Sequence, residues 1–407
     1  MKQKLKIILF LFISLPCNAN LSTDFFHAYN LNKEGKIKEA SELYRSIVKA
    51  NPWCTQALYN FAHTLKDLGD IPQAIEAYKK VISEEPDNNF ARLGLAQCYL
   101  SQGNLSQGFE LFEFRASDIA LFKSHISYLK NQIKNKISLH GIKILLRSEW
   151  GLGDCIQFIR FAKQLKDLGA TIIVQAYPAV HKLFNLCPYI DTVISVGDAF
   201  PDHQAQIPLL SLPYILESNL NQINISNPYI YADPTLSELW KKKLMHDTNL
   251  KIGICWCGNG DKNAPPLLNK NILLEQLKPL FDLKNVSIYA LQRSETQEQN
   301  IESFNLILFD EHFDQRNGRF MDTAAIMNSL DLIITIDTSI AHLAGAMQRP
   351  VWVMLPYHAD WRWMEKRNDS PWYASMKLFR QPEPGDWQAV VKEMCNRIQN
   401  LIGEAKI

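Results

Sequence analysis

The sequence predicts an array of paired α-helices followed by two α/β lobes with parallel sheets, and three observations carry that reading. Glycines, alanines and aromatics recur at one fixed spacing through the first part of the chain. Beyond Gly141, short β-rich runs alternate with amphipathic helical stretches. That alternation restarts near Lys251, after a polar segment, so a second sheet follows the first. At 407 residues the chain exceeds one compact core and suits several domains.

The repeat comes first. Gly35, Gly69 and Gly103 stand 34 residues apart, and Ala28, Ala62 and Ala96 keep the same interval. So do Ala40, Ala74 and Gly108, and Tyr44, Tyr78 and Phe112; Pro52 and Pro86 close two of the units. Each unit is a helix pair, with a small residue where the helices cross, a glycine at the turn and an aromatic filling the gap to the next pair. On these columns the stretch from Ser22 to Arg115 resembles tetratricopeptide repeats, with the array over 22–115 and a connector over 116–140. An array of this kind that threads an extended peptide needs a repeating column of asparagines along its superhelix. Here Asn60 has no counterpart at Phe26 or Gly94, which predicts docking or homodimer contacts in place of peptide threading.

Composition narrows the class. Lysine plus arginine (43) nearly cancels aspartate plus glutamate (42), and no basic stripe is present to track a phosphate backbone, so nucleic acid is not an expected partner. Lys2, Lys4 and Lys6 precede an apolar run from Ile7 to Leu15, then Pro16 and Cys17-Asn18-Ala19. That order predicts a secretory signal peptide over 1–19. No apolar run is long enough for a membrane-spanning helix. Of the eight cysteines, Cys255 and Cys257 alternate around Trp256 as small buried residues on a strand do; no ligand set for a metal follows them.

In the first lobe, over 141–245, the predicted strands are Ile142–Arg147, Thr171–Ala176, Asp191–Val196 and Ala205–Leu209, with a helix over Ile156–Leu168. The polar stretch Pro234–Asn249 reads as a link. In the second lobe, over 249–407, strands are expected at Lys251–Trp256, Val286–Gln292, Leu306–Phe309, Leu332–Asp337 and Val351–Leu355. Helices are expected at Ile272–Phe281, Thr323–Ser329 and Ser339–Met347, and over 386–402 with Asp386 as N-cap. Two such lobes in series leave a cleft at the carboxyl ends of their strands.

Three segments could carry chemistry. Gly151-Leu152-Gly153-Asp154 joins a strand to a helix; the glycines admit a ligand to the backbone, and Asp154 is either a reactive carboxylate or a helix cap. A buried strand ends at Asp337, and Thr338 and Ser339 open a helix bearing His342; the start of that helix suits a diphosphate. Asp360-Trp361-Arg362-Trp363 and Ser370-Pro371-Trp372-Tyr373 stack on a base or sugar, or pin a loop to the core.

Taken together, the stretch from Leu145 to Trp387 is similar to bacterial glycosyltransferases that join tetratricopeptide repeats to a heptosyltransferase-like catalytic region. The matching pieces are Glu149-Trp150-Gly151-Leu152-Gly153-Asp154, Pro208-Leu209-Leu210-Ser211-Leu212-Pro213, Trp256-Cys257-Gly258-Asn259 and Leu291-Gln292-Arg293. Asp337-Thr338-Ser339 with His342 and the two tryptophan segments complete the set, and Phe112–Arg115 resembles the family's junction. The resemblance implies two Rossmann-like lobes of GT-B type, with the nucleotide sugar on the second lobe and the acceptor on the first. It implies a metal-independent, inverting hexosyl- or heptosyltransferase with no cofactor beyond the donor. Asp154 would be the general base. Gly151, Gly153, Asn259, Lys270, Gln292, Arg293, Asp337, Thr338, Ser339 and His342 would bind donor and substrate, and the repeats would dock a protein or glycan acceptor. Two departures stand out: Trp150 occupies a position where the family has glutamine, and an arginine-rich loop is replaced by Gly260-Asp261-Lys262-Asn263-Ala264-Pro265-Pro266. These departures keep a second expectation open, a repeat interaction protein with a degenerate transferase region. The leader points to export and the donor chemistry to the cytoplasm.

Overall fold

A computed structural model of the chain describes residues 19–115, 121–223, 226–258, 270–292 and 301–404. All of the expected leader except Ala19 therefore lies outside the described residues. The chain divides into two compact units, Met1–Ala91 and Arg92–Ile407.

The first unit holds α1 (Ala19–Lys33), α2 (Ile37–Ala50), α3 (Thr55–Asp67) and α4 (Ile71–Glu84). Along α2 the buried residues Ile37, Ala40, Ser41, Tyr44 and Ile47 fall at helical spacing on one face. Gly35 and Gly69 turn the chain with φ of 80° and 79°, and Gly103 repeats the turn at 81°. A Cβ is strained in that left-handed region, which is why glycine holds this column. Tyr44 and Tyr78 are fully buried, Tyr44 edge-on to Phe25 and Tyr78 edge-on to Tyr59.

The third helix pair, α5 (Asn89–Ser101) and α6 (Leu105–Phe112), falls almost wholly within the second unit. Where the repeat column has alanine, this pair has Gly108, because a Cβ there would lie 2.6 Å from the Leu100 side chain. The connector carries α7 (Lys123–Lys134).

The first sheet runs β3-β2-β1-β4 and is all parallel: β1 (Lys143–Arg147), β2 (Thr171–Ala176), β3 (Thr192–Ser195) and β4 (Ala205–Pro208). Around it lie α8 (Leu152–Phe158), α9 (Arg160–Asp167), α10 (Pro178–Asn185) and α11 (Leu212–Ile215). The one helix expected over Ile156–Leu168 is two, starting earlier and breaking at Ile159, where the Ala162 N–H bonds three residues back to the Ile159 carbonyl. The stretch read as a link, Pro234–Asn249, instead builds α12 (Pro234–Leu244), capped by Asp233 and anchored by Trp240, whose indole N–H donates to Asp322.

The second sheet runs β6-β5-β7-β8-β9, again parallel: β5 (Leu250–Cys255), β6 (Val286–Ala290), β7 (Leu332–Ile336), β8 (Val351–Leu355) and β9 (Met376–Arg380). Its helices are α13 (Lys278–Phe281), α14 (Met321–Met327), α15 (Ser339–Ala346) and α16 (Trp387–Glu404). Alternation sorts β7 between two cores: Leu332, Ile334 and Ile336 pack toward α16, and Ile333 packs with α15. The strand expected at Leu306–Phe309 reduces to a single bridge, Ile307 to Tyr289. The helix expected over Ile272–Phe281 is a 3₁₀ turn, Leu274–Leu277, and the short α13, because Pro279 withholds an N–H.

Candidate active site

Both sheets point their carboxyl ends into one cleft of about 430 Å³ within the second unit. Trp150, Gly151, Leu152 and Gly153, which follow β1, form one wall. Cys257 and Gly258 after β5, Gln292 after β6 and Asp337 to Ile340 after β7 form the other. Ligands bind parallel α/β sheets at this edge because the loops there are free to diverge while the strands hold their ends in register.

The second wall is built for an anion. β7 is buried along its whole length and must leave the core at Asp337, whose carboxylate lies 3.6 Å from the Lys270 ammonium. Thr338, in extended backbone, caps α15 by accepting the Ile340 N–H at 3.3 Å. The positive end of α15 thus meets the cleft, with Ser339 and Ile340 in its wall. Gly258 packs closely on this turn: a Cβ there would stand 3.0 Å from the Thr338 methyl. The Gln292 amide oxygen accepts the Cys257 N–H at 3.0 Å, tying the loop after β5 to the loop after β6. Burial pushes the nearby Cys255 thiol up to about 11, so it stays a neutral packing group.

A third segment, between β6 and β7 along the chain, adds a cation. Asp314 is buried and accepts the Thr323 hydroxyl and N–H, while Asp322 accepts Asn317, the Asp314 N–H and the Trp240 indole. These bonds brace a loop that carries exposed Arg319 into the cleft wall beside Phe320.

Asp154 and His342 lie just behind the walls. Gly151 is the N-cap of α8, and Asp154, at the third helical position, reaches back to accept the Gly151 N–H at 2.9 Å. Asp154 is therefore not the N-cap itself, as one reading of the spacing has it, but the third helical residue, whose carboxylate caps Gly151 from behind. Its other oxygen accepts the Arg362 guanidinium. Burial raises the Asp154 carboxyl above the usual carboxylate range, and the Arg362 charge opposes this. Burial works against the Arg362 charge, but Asp360 and Asp154 outweigh it and hold the guanidinium protonated; it also donates to Gln157 at 2.7 Å.

His342 is buried, its ring stacked 5.3 Å from Trp363 and its Nδ1 2.8 Å from the Tyr373 hydroxyl. Burial, reinforced by the Arg362 charge, lowers its proton affinity far below the ordinary histidine value. It is therefore a neutral ring, not a cation for phosphate. Gly153 packs so closely on it that a Cβ would sit 2.8 Å from His342 Cδ2.

Of the residues expected to bind ligand, Gly151, Gly153, Lys270, Gln292, Asp337, Thr338 and Ser339 line the cleft. His342 and the Asp154 side chain form the layer beneath them. Asn259 and Arg293 lie outside the described residues. The tryptophan segments pin a loop: Trp361, Trp363 and Trp372 are buried, and the Trp372 indole N–H donates to the Arg362 carbonyl. Sequence reasoning missed Arg319 and Asp314, which sit in an irregular loop with no periodic signal.

Residues 65–112 match the family model described as tetratricopeptide repeat. The helix pairs of that stretch are tetratricopeptide repeats. Over 347 residues the chain is 21% identical to Protein FlbA of Caulobacter vibrioides, covering 77% of this chain and 55% of that protein. The chain thus spans about half the length of the curated relative it matches. A glycosyl transferase family 9 structure from Veillonella parvula is similar at 13% identity and a TM-score of 0.48, over 66% of this chain and 99% of that one. The E. coli ADP-heptose lps heptosyltransferase II is similar at 13% identity and a TM-score of 0.44, over 65% of this chain and 100% of that one.

Proposed function

We propose that this tetratricopeptide-repeat chain is a glycosyltransferase that moves a sugar from a nucleoside-diphosphate donor to a hydroxyl acceptor. The observation that carries the reading is the second cleft wall, where the start of α15, Lys270 and Arg319 converge at the carboxyl edge of a parallel sheet. An amide-rich helix start with two cations suits a diphosphate, which on binding competes with the Asp337 carboxylate 3.6 Å from Lys270. The motif resemblance from Leu145 to Trp387 supports the same donor class.

In this reading the acceptor hydroxyl attacks the anomeric carbon from the side of the Gly151–Gly153 wall. The bond from that carbon to the phosphate oxygen breaks, and its electron pair leaves with the diphosphate. Lys270, Arg319 and the α15 terminus stabilise the growing charge. The acceptor proton passes to a carboxylate, for which Asp154 is our assignment: its side chain keeps 17% of its surface open next to the Gly151–Gly153 wall, and burial raises its proton affinity. One displacement inverts the anomeric centre. The ion pair with Arg362 supports a second role for Asp154, clamping the two lobes, since its partner comes from the second.

Calorimetric titration with nucleoside diphosphates and their sugars tests the donor site. At least one should bind, and Lys270→Ala and Arg319→Ala should each weaken it by about 1.5–3 kcal/mol, the range for a charged hydrogen bond. Undiminished affinity in both variants would move the diphosphate elsewhere.

A further inference from the structure

We propose that Trp150 is a stacking platform for the ring of a saccharide acceptor, an inference that rests on the transferase reading above. Two aromatic residues line the described cleft, and they differ: Phe320 is buried to 4% exposure, whereas Trp150 keeps 37% of its surface open. The indole is therefore the aromatic face available to a ligand there.

It is also held in place at a cost. Trp150 has φ of 60°, a left-handed conformation that a bulky residue adopts only when its surroundings impose it. Two contacts do so. The ring lies edge-on to fully buried Phe112, with centroids 5.1 Å apart. The preceding residue, Glu149, accepts two bonds from Arg115, at 3.0 and 2.6 Å, and the Leu210 N–H at 3.0 Å. Ring and backbone are thus fixed before any ligand arrives, which lowers the entropy lost on binding.

Position decides the occupant. The cations that suit phosphate stand on the opposite wall, so the donor's charged part belongs there, and Trp150 adjoins the Gly151–Gly153 wall from which the acceptor must come. An uncharged, electron-rich indole face suits the C–H face of a pyranose and offers nothing to an anion.

The test uses the full chain saturated with whichever nucleoside diphosphate it binds, and a panel of methyl pyranosides observed by saturation-transfer NMR. Saturation should fall on one ring face of at least one pyranoside. Trp150→Gly, which accepts the same backbone angle without strain, should weaken that binding about tenfold while nucleotide affinity stays within about twofold. Trp150→Phe should retain most of it. Loss of nucleotide affinity in Trp150→Gly would overturn the proposal by assigning the ring to the base. Nucleotide binding with no pyranoside signal, or a signal unchanged in Trp150→Gly, would overturn it and leave the donor reading standing. Failure of every nucleoside diphosphate to bind the parent chain would remove the donor reading and this proposal with it.

Discussion

Exchanging Asp154 for asparagine should cost stability as well as turnover, and a cycle with Arg362 separates the two effects. Arg362 is 8% exposed at its side chain and has three acceptors: Asp154, Asp360 at 2.8 Å and Gln157 at 2.7 Å. Removing one member of a buried ion pair typically costs about 3–5 kcal/mol, because the other charge stays buried alone. Here Asp360 remains, although at 36% side-chain exposure it is a screened partner. We therefore expect about 2 kcal/mol for Asp154→Asn, whose amide oxygen can still accept the Gly151 N–H. Arg362→Met leaves Asp154 buried with that single bond and should cost about 3 kcal/mol. The double variant should fall short of the sum by about 1–2 kcal/mol, the coupling typical of residues in contact. Urea denaturation measures all four corners. Additivity within about 0.5 kcal/mol would refute the clamp. In the Arg362→Met background, Asp154→Asn should still lower turnover by about two orders of magnitude if Asp154 takes the proton; no loss there would leave it the clamp role alone.

Other expectations follow from packing and burial. Tyr78→Ala should destabilise the first unit by about 3 kcal/mol, read from its thermal melt, since it empties a fully buried aromatic site. Gly153→Ala drives a methyl to 2.8 Å from the fixed His342 ring, and should cost about 1–3 kcal/mol in denaturation and weaken nucleotide binding measurably. His342 binds a proton more weakly folded than unfolded, so stability should fall as pH drops below 6.5, by at most about 1.4 kcal/mol per unit from this group. His342→Gln should lose that part of the slope between pH 7 and pH 5.5, and an unchanged slope would contradict a buried neutral ring.

What the sequence made legible was what periodicity encodes. The helix-pair columns carry their own geometry, down to Gly35, Gly69 and Gly103 at equal φ, and buried strands such as β2 and β8 begin and end where their apolar runs do. Elements that owe their form to distant partners were less legible. The polar surface of α12 hides a helix that Trp240 anchors through Asp322, 82 residues away. Strand β9 carries exposed Lys377 at the sheet edge and was not among the expected strands; β8 pairs with it in the fold. At the site, the glycine loop and the start of α15 were visible because strand-to-helix turns have spacing rules. Arg319 was not, since long-range bonds such as those of Asp314 and Asp322, and of Lys182 to the Asn317 carbonyl, place it. Nor could spacing alone show that Arg362 grips Asp154 across 208 residues, or that His342 is neutral.

The most direct test of the account is a crystal structure of the full chain with a bound nucleotide sugar. The diphosphate is expected against Ser339 and the α15 terminus, within hydrogen-bond reach of Lys270 and Arg319, with the anomeric carbon turned toward the Gly151–Gly153 wall. Phosphates bound away from α15, or a cleft that stays empty at saturating donor, would contradict it.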